Sequence, residues 1–217
     1  ARMRLRDLKT GGALSLRPKD RLWQGAGVAL LVALLLMTVV SSRDYGIGWD
    51  ETMQNQYGAY VLRFYSTHGQ DTSALTHWNW RYYGGLFDGA AVWLERRLPW
   101  NVYDTRHLLT GLVGWLGLLG AWKLARLLGG PRAAMLALCL LAAEPSFMGH
   151  RFINPKDIPL AAGYVWSIYY LLRCIGRFPS LPNGLIVKTG IAFGLTLSFR
   201  VGGALVVGYL LLAALFY

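Results

Sequence analysis

Three short clusters hold the side chains best suited to chemistry. The first is Trp49-Asp50-Glu51-Thr52, with two carboxylates side by side. The second runs from Glu144-Pro145 through His150-Arg151 to Asn154-Pro155-Lys156-Asp157. The third is Arg200, between Ser198-Phe199 and Val201-Gly202-Gly203. Carboxylates in such settings serve as general bases, and Arg or Lys hold anions. Each also has a plain structural role. Asp50 suits the N-cap of a helix opening at Glu51. Asp157 suits the start of another, with Pro159 in its first turn. Arg200 could reach toward lipid headgroups, and Glu144 before Pro145 reads as a helix-end residue. His68, His77 and His107 show no metal-ligand spacing, and Cys139 and Cys174 imply neither a metal site nor an external disulfide.

The elements that must position these residues are apolar. The chain has 217 residues, 54 % of them hydrophobic, and the apolar residues come in blocks at 22–42, 108–128, 133–147, 158–174, 185–199 and 201–217. A spanning helix needs roughly 20 such residues, with about 17 as a minimum. The first, second, fourth and sixth blocks reach that length; the third and fifth are shorter and need snorkelling flanks. The expected fold is therefore an all-α integral membrane protein with five to six transmembrane helices. The first block is longer than a signal-peptide core, and no small-x-small cleavage site follows it before Arg43.

Charge gives the orientation. If the segments alternate sides starting inside, the inner ones hold thirteen cations against Asp7 and Asp20, and the outer ones nine cations against nine acids. The whole net charge of +11 is then cytoplasmic, as the positive-inside rule requires. The basic balance reports topology and anionic lipid rather than nucleic acid. The expected place is the plasma (inner) membrane, with a basic cytoplasmic tail at 1–21 followed by a transmembrane module at 22–217.

Between the first two blocks lies a polar segment, 43–107, too long for a structureless loop. Met53, Tyr57, Tyr60, Val61, Phe64 and Tyr65 recur at helical spacing over 51–65, and Leu86, Phe87, Ala90, Trp93, Leu94 and Leu98 over 85–98. Both predict amphipathic helices lying in the interface of an external loop. His77-Trp78-Asn79-Trp80-Arg81-Tyr82-Tyr83 between them reads as an aromatic belt at headgroup depth. Gly129-Gly130-Pro131 predicts a tight inner turn, and 144–157 a second external loop.

This order of features resembles the GT-C class of membrane glycosyltransferases, and within it the protein O-mannosyltransferase and aminoarabinose-transferase branch. The matching residues are Asp50-Glu51 opening the first external loop, Tyr82-Tyr83-Gly84-Gly85-Leu86-Phe87 before its second helix, Arg151 and Asp157-Ile158-Pro159-Leu160 at the head of a span, and Arg200-Val201-Gly202-Gly203 near the end of the next. The likeness covers essentially the whole chain, although the family is normally far longer.

The resemblance implies inverting transfer of a sugar from a polyprenyl-phosphate donor to a hydroxyl at the outer face. A glycosidase usually needs two carboxyls because its leaving alkoxide must be protonated. Cleavage of a phosphodiester donor at the sugar carbon releases the polyprenyl phosphate as a stable anion, so one base suffices, with cations on the phosphate. On this reading Asp50 is the base, and Arg200 and Lys156 hold the donor phosphate. Arg151 and Asp157 complete the catalytic set, paired with each other to position the two loops, with Glu51 and His150 as support. No cofactor is required by the sequence, and a divalent cation is left open. The alternative is a shortened, non-catalytic subunit packed in a larger membrane complex, for which Gly111, Gly114, Gly117, Gly120, Gly190 and Gly194 offer close-packing faces. A transporter fits less well, because the ionisable groups gather at one face rather than at the midplane.

Overall fold

The computed structural model describes residues 18–215. The basic tail therefore lies outside the described residues, except for its last four, which already form the first turn of a helix.

Nine α-helices follow one another among the described residues: α1 (Pro18–Ser41), α2 (Glu51–Ser66), α3 (Ser73–Thr76), α4 (Leu86–Glu95), α5 (Val102–Ala143), α6 (Pro145–Ile153), α7 (Asp157–Arg177), α8 (Asn183–Phe199) and α9 (Leu205–Leu215). Two 3-10 turns, Trp78–Tyr82 and Val201–Ala204, stand before α4 and α9. Three helices, α1, α5 and α7, are long and apolar enough to cross a membrane, and the remaining apolar stretches, Asn183–Phe199 and Val201–Leu215, are shorter.

α5 is not one rod. At 42 residues a straight helix would measure about 63 Å, twice a bilayer core of about 30 Å. Gly130 breaks it with φ 79° and ψ −173°, a conformation that suits a residue without Cβ. The chain then doubles back. Leu118 and Trp122 from before the break share a buried cluster with Ala134 and Leu138 from after it, together with Leu31 and Leu34 of α1. In a straight helix Leu118 and Leu138 would stand about 30 Å apart. The Gly129-Gly130-Pro131 turn is thus a real reversal.

Contacts give the direction of the remaining helices. α1 runs antiparallel to the first arm of α5: a Cβ on Gly27 would strike the Trp122 ring, one on Gly111 would strike Thr38, and the Trp115 indole donates to the Leu31 carbonyl at 2.8 Å. That arm and α7 are parallel, with Gly114 against Ile158, Gly117 against Ala162 and Gly120 against Val165. α8 returns antiparallel to α7, bringing Thr196 against Gly163 and within 3.0 Å of the Ser167 hydroxyl. Four of the six glycines offered to an outside partner, at 111, 114, 117 and 120, are therefore filled from within, while Gly190 and Gly194 face open space.

These directions bring five points of the chain to one end of the bundle: the segment after α1, the start of α5, α6, the start of α7 and the end of α8. Over that end lies the folded 43–107 segment. Both expected helices form, as α2 and a shorter α4. They cross closely at Gly58, where a Cβ would sit 2.4 Å from the Asp88 carbonyl oxygen. The aromatic stretch departs from the expected belt. Trp78 and Tyr82 are exposed, but Trp80 is buried with Tyr57, Val61 and Ala74, because the 3-10 turn directs it onto α2. The segment expected as the 144–157 loop carries α6, whose first amides at Ser146 and Phe147 are capped by the Glu144 carboxylate.

Candidate functional site

Asp50 stands at the N-cap of α2, yet its side chain makes no capping hydrogen bond. It turns instead to Lys156, whose Nζ lies 2.6 Å from Oδ2 across 106 positions of sequence. A cap alone does not account for Asp50. One residue on, Asp157 pairs with the Arg200 guanidinium. Asn154 sets this corner: its Oδ1 accepts from the backbone amides of Lys156 (3.3 Å) and Asp157 (3.0 Å), and its Nδ2 donates to Asp157 Oδ2 at 3.1 Å. The Asp50, Asp157 and Arg200 side chains are 49 %, 55 % and 34 % exposed and that of Lys156 16 %, so the carboxylates open to the surface while the lysine is mostly covered. Exposed ion pairs of this kind contribute about 0–1 kcal/mol, and stability does not explain why the fold gathers them.

Aromatic rings join the two pairs. The Lys156 ammonium lies 4.1 Å from the Trp80 ring centre and 5.1 Å from that of Tyr83, and the Arg200 guanidinium 5.2 Å from Tyr83. Tyr83 and Arg200 also form an antiparallel backbone bridge. The approach is close enough that a Cβ on Gly84 would lie 1.9 Å from the Ser198 carbonyl oxygen. Beside the bridge, a mainly apolar cavity of about 350 Å³ is lined by Tyr57, Val61, Phe64, Leu75, Gly84 and Ser198, among others.

Arg151 is placed differently from expectation. It does not pair with Asp157, which Arg200 already holds. The Arg151 side chain is fully buried, its guanidinium 4.8 Å from the Phe152 ring centre, and its three nitrogens have no hydrogen-bond partner among the described residues. Burial pulls its pKa below the usual guanidinium value. The physical reason is helical geometry. Arg151 leaves α6 toward Gly114 of α5, whereas Asp157 opens α7 at the exposed end. Glu51 also faces inward: it is fully buried and accepts from the Gly48 amide at 2.5 Å, with His107 Nε2 at 3.1 Å. His150 is exposed and meets none of these groups in a hydrogen bond. The structure thus gathers Asp50, Lys156, Asp157 and Arg200, and sets Glu51, Arg151 and His150 apart.

A second charged group was not singled out from the sequence. Arg106, fully buried at the start of α5, donates to Asp88 Oδ1 of α4 at 2.6 Å and to Glu95 Oε1 at 3.1 Å. Asn55 of α2 also donates to Glu95, at 3.0 Å. Burial pushes the Asp88 pKa up to about 6, against the opposing pull of Arg106 and Lys156, and raises Glu95 as well. The available signal was Arg106 itself, a cation at the head of an apolar run. Trp80, Tyr83 and Asn154 were likewise missed as site residues. No group of three or more metal-ligating side chains occurs among the described residues.

The described residues thus form an all-helical bundle, three of its helices long and apolar enough to cross a membrane, with two carboxylate–cation pairs at one end. Residues 105–217 match the family described as dolichyl-phosphate-mannose-protein mannosyltransferase, and the chain belongs to that family. Its members are membrane-embedded glycosyltransferases that use polyprenyl-phosphate-linked sugar donors. No curated protein and no solved structure matches the chain.

Proposed function

We propose that this chain carries the donor and base residues of a GT-C glycosyltransferase that moves a sugar from a polyprenyl phosphate to a hydroxyl acceptor, with inversion, at the outer face of the plasma membrane. The observation that carries this reading is the meeting of Asp50, Lys156, Asp157 and Arg200 around Tyr83. Asp50 takes the acceptor proton, while Lys156 and Arg200 hold the phosphate that departs as the carbon–oxygen bond breaks. The anion needs no proton to leave, so a second acid has no task. Asp157 holds Arg200 and orients it. The apolar cavity begins at Gly84 and Ser198, next to the Tyr83–Arg200 bridge, and suits the first isoprene units of the donor.

Six apolar segments alternating in direction cross the membrane in this proposal, with 43–107 and 144–157 outside and the N-terminus inside. The transmembrane module spans 22–217. The narrower placing within the O-mannosyltransferase and aminoarabinose-transferase branch rests on the quoted motifs.

Transfer from dolichyl-phosphate mannose or another polyprenyl-phosphate sugar to a hydroxyl acceptor tests the reading. Asp50→Asn keeps the shape of the side chain and removes its basicity, and should lower kcat at least about a hundredfold with donor binding retained. Arg200→Ala should weaken donor binding instead, through loss of a charge-assisted partner. Near-native transfer by Asp50→Asn would overturn the assignment and favour the non-catalytic subunit.

A further inference from the structure

We propose that Trp80 and Tyr83 are positioning residues of this site, holding Lys156 and Arg200 together so that one phosphate meets both. The inference rests on the donor-phosphate reading given above and deepens it.

Two cations gathered for a single anion repel each other until the anion arrives. Here each is partly neutralised by its own carboxylate, and Asp157, next in sequence to Lys156, draws Arg200 to the same corner, but neither carboxylate pairs with both cations. The shared partner is the Tyr83 ring, 5.1 Å from the Lys156 ammonium and 5.2 Å from the Arg200 guanidinium. Trp80 stands closer to Lys156 still, at 4.1 Å. An aromatic face attracts a cation through its quadrupole without cancelling its charge. The cation is held in place and stays competent for phosphate.

The platform is itself anchored. Trp80 is 8 % exposed and packs with Tyr83 at 5.5 Å between ring centres. The Tyr57 hydroxyl donates to the Tyr83 carbonyl at 3.1 Å. The backbone bridge ties Tyr83 to Arg200, so ring and guanidinium spring from adjoining backbone. The tyrosine hydroxyl plays no part in this arrangement, and Phe should serve at 83.

Binding of dolichyl phosphate to the intact protein in lipid nanodiscs tests the inference in a double-mutant cycle. Lys156→Ala should weaken binding, and Trp80→Leu should weaken it about tenfold. Trp80→Phe and Tyr83→Phe should retain most of the affinity. Because Trp80 acts through Lys156, Trp80→Leu should add nothing to Lys156→Ala. If Trp80→Leu costs the same factor with and without Lys156, the ring only packs, and the inference falls while the donor reading stands. If Lys156→Ala leaves binding unchanged, the phosphate reading fails and this inference with it. Should Trp80→Leu not fold, Tyr83→Leu against Lys156→Ala/Arg200→Ala gives the same cycle, with the same outcome required.

Discussion

Arg106 ties α5 to α4 through two carboxylates, one of which Asn55 of α2 also bonds, and burial makes that role severe. A side chain of zero exposure that keeps its charge must have its partners in place. Removing it leaves Asp88 and Glu95 buried near each other without the cation that hydrogen-bonds both. Arg106→Ala should therefore destabilise the protein by about 3–5 kcal/mol, read as loss of thermal stability in detergent, whereas Arg43→Ala at an exposed position should change little. The raised Asp88 pKa gives a pH prediction of definite sign. The native state holds the Asp88 proton up to about pH 6, while the unfolded chain releases it near the ordinary value of 3.8. Native protein thus binds more protons between those limits. The Asp88 contribution to stability falls as pH rises through that window and is flat above it. Thermal unfolding between pH 4 and 7.5 should show this slope, and Asp88→Asn should reduce it to the part that Glu95, also raised by burial, contributes. At this scale the motifs singled out Asp50, Lys156, Asp157 and Arg200, which the structure brings to one end of the bundle. The sequence could not reveal which acid pairs with which cation, because α6 turns Arg151 inward and leaves Asp157 for Arg200. That depends on helix rotation, which spacing in a nine-residue helix does not determine.

Among the elements, the 78–86 segment has the largest consequence for the site, since it packs Trp80 on α2 and carries Tyr83 onto the end of α8. Gly84 permits the contact. An added methyl would meet the Ser198 carbonyl oxygen at 1.9 Å, and backbone on both sides leaves nowhere to yield. Gly84→Ala should separate the segment from α8, speed amide hydrogen exchange over 83–87, and lower donor binding together with transfer. Gly190→Ala, which meets open space in α8, is the matched control and should leave exchange and binding unchanged. If Gly84→Ala exchanges and binds as the unmodified protein does, the close approach is not what holds the segment. The helices on either side were legible from helical spacing, and over 51–65 Tyr57 and Val61 of the expected face are buried. Over 85–98 the helix forms but its expected face does not pack, since Leu86, Ala90 and Trp93 are exposed while Phe87, Ala91 and Val92 are buried. The intervening turn was not legible. Alternating aromatic and polar residues satisfy a headgroup belt and a folded platform equally well, and only packing on α2 distinguishes them. α6 was hidden for a related reason: nine residues with Pro at the first position and a Gly within read as loop.

For the molecule as a whole, the charge distribution and the helix directions were reached independently and imply one arrangement. Thirteen cations against two acids fall on one set of segments, and nine of each on the other. In the structure α1 opposes the first arm of α5, that arm opposes its own return beyond Gly130, and α7 opposes α8. Segments that alternate in direction place residues 43–107 and 144–157 at one end, and Gly130 and the 178–182 connection at the other. The proposed orientation in a cell rests on cationic segments resisting transfer across the membrane. It can be read with single cysteines on a background in which Cys139 and Cys174 are replaced. Thr72, between α2 and α3, and Ser180, between α7 and α8, are both exposed. An impermeant maleimide added to intact cells should label Thr72→Cys at once and reach Ser180→Cys only after permeabilisation. Labelling of Ser180→Cys with Thr72→Cys protected would place the Asp50–Lys156 and Asp157–Arg200 pairs on the cytoplasmic face, and the acceptor would have to be sought there.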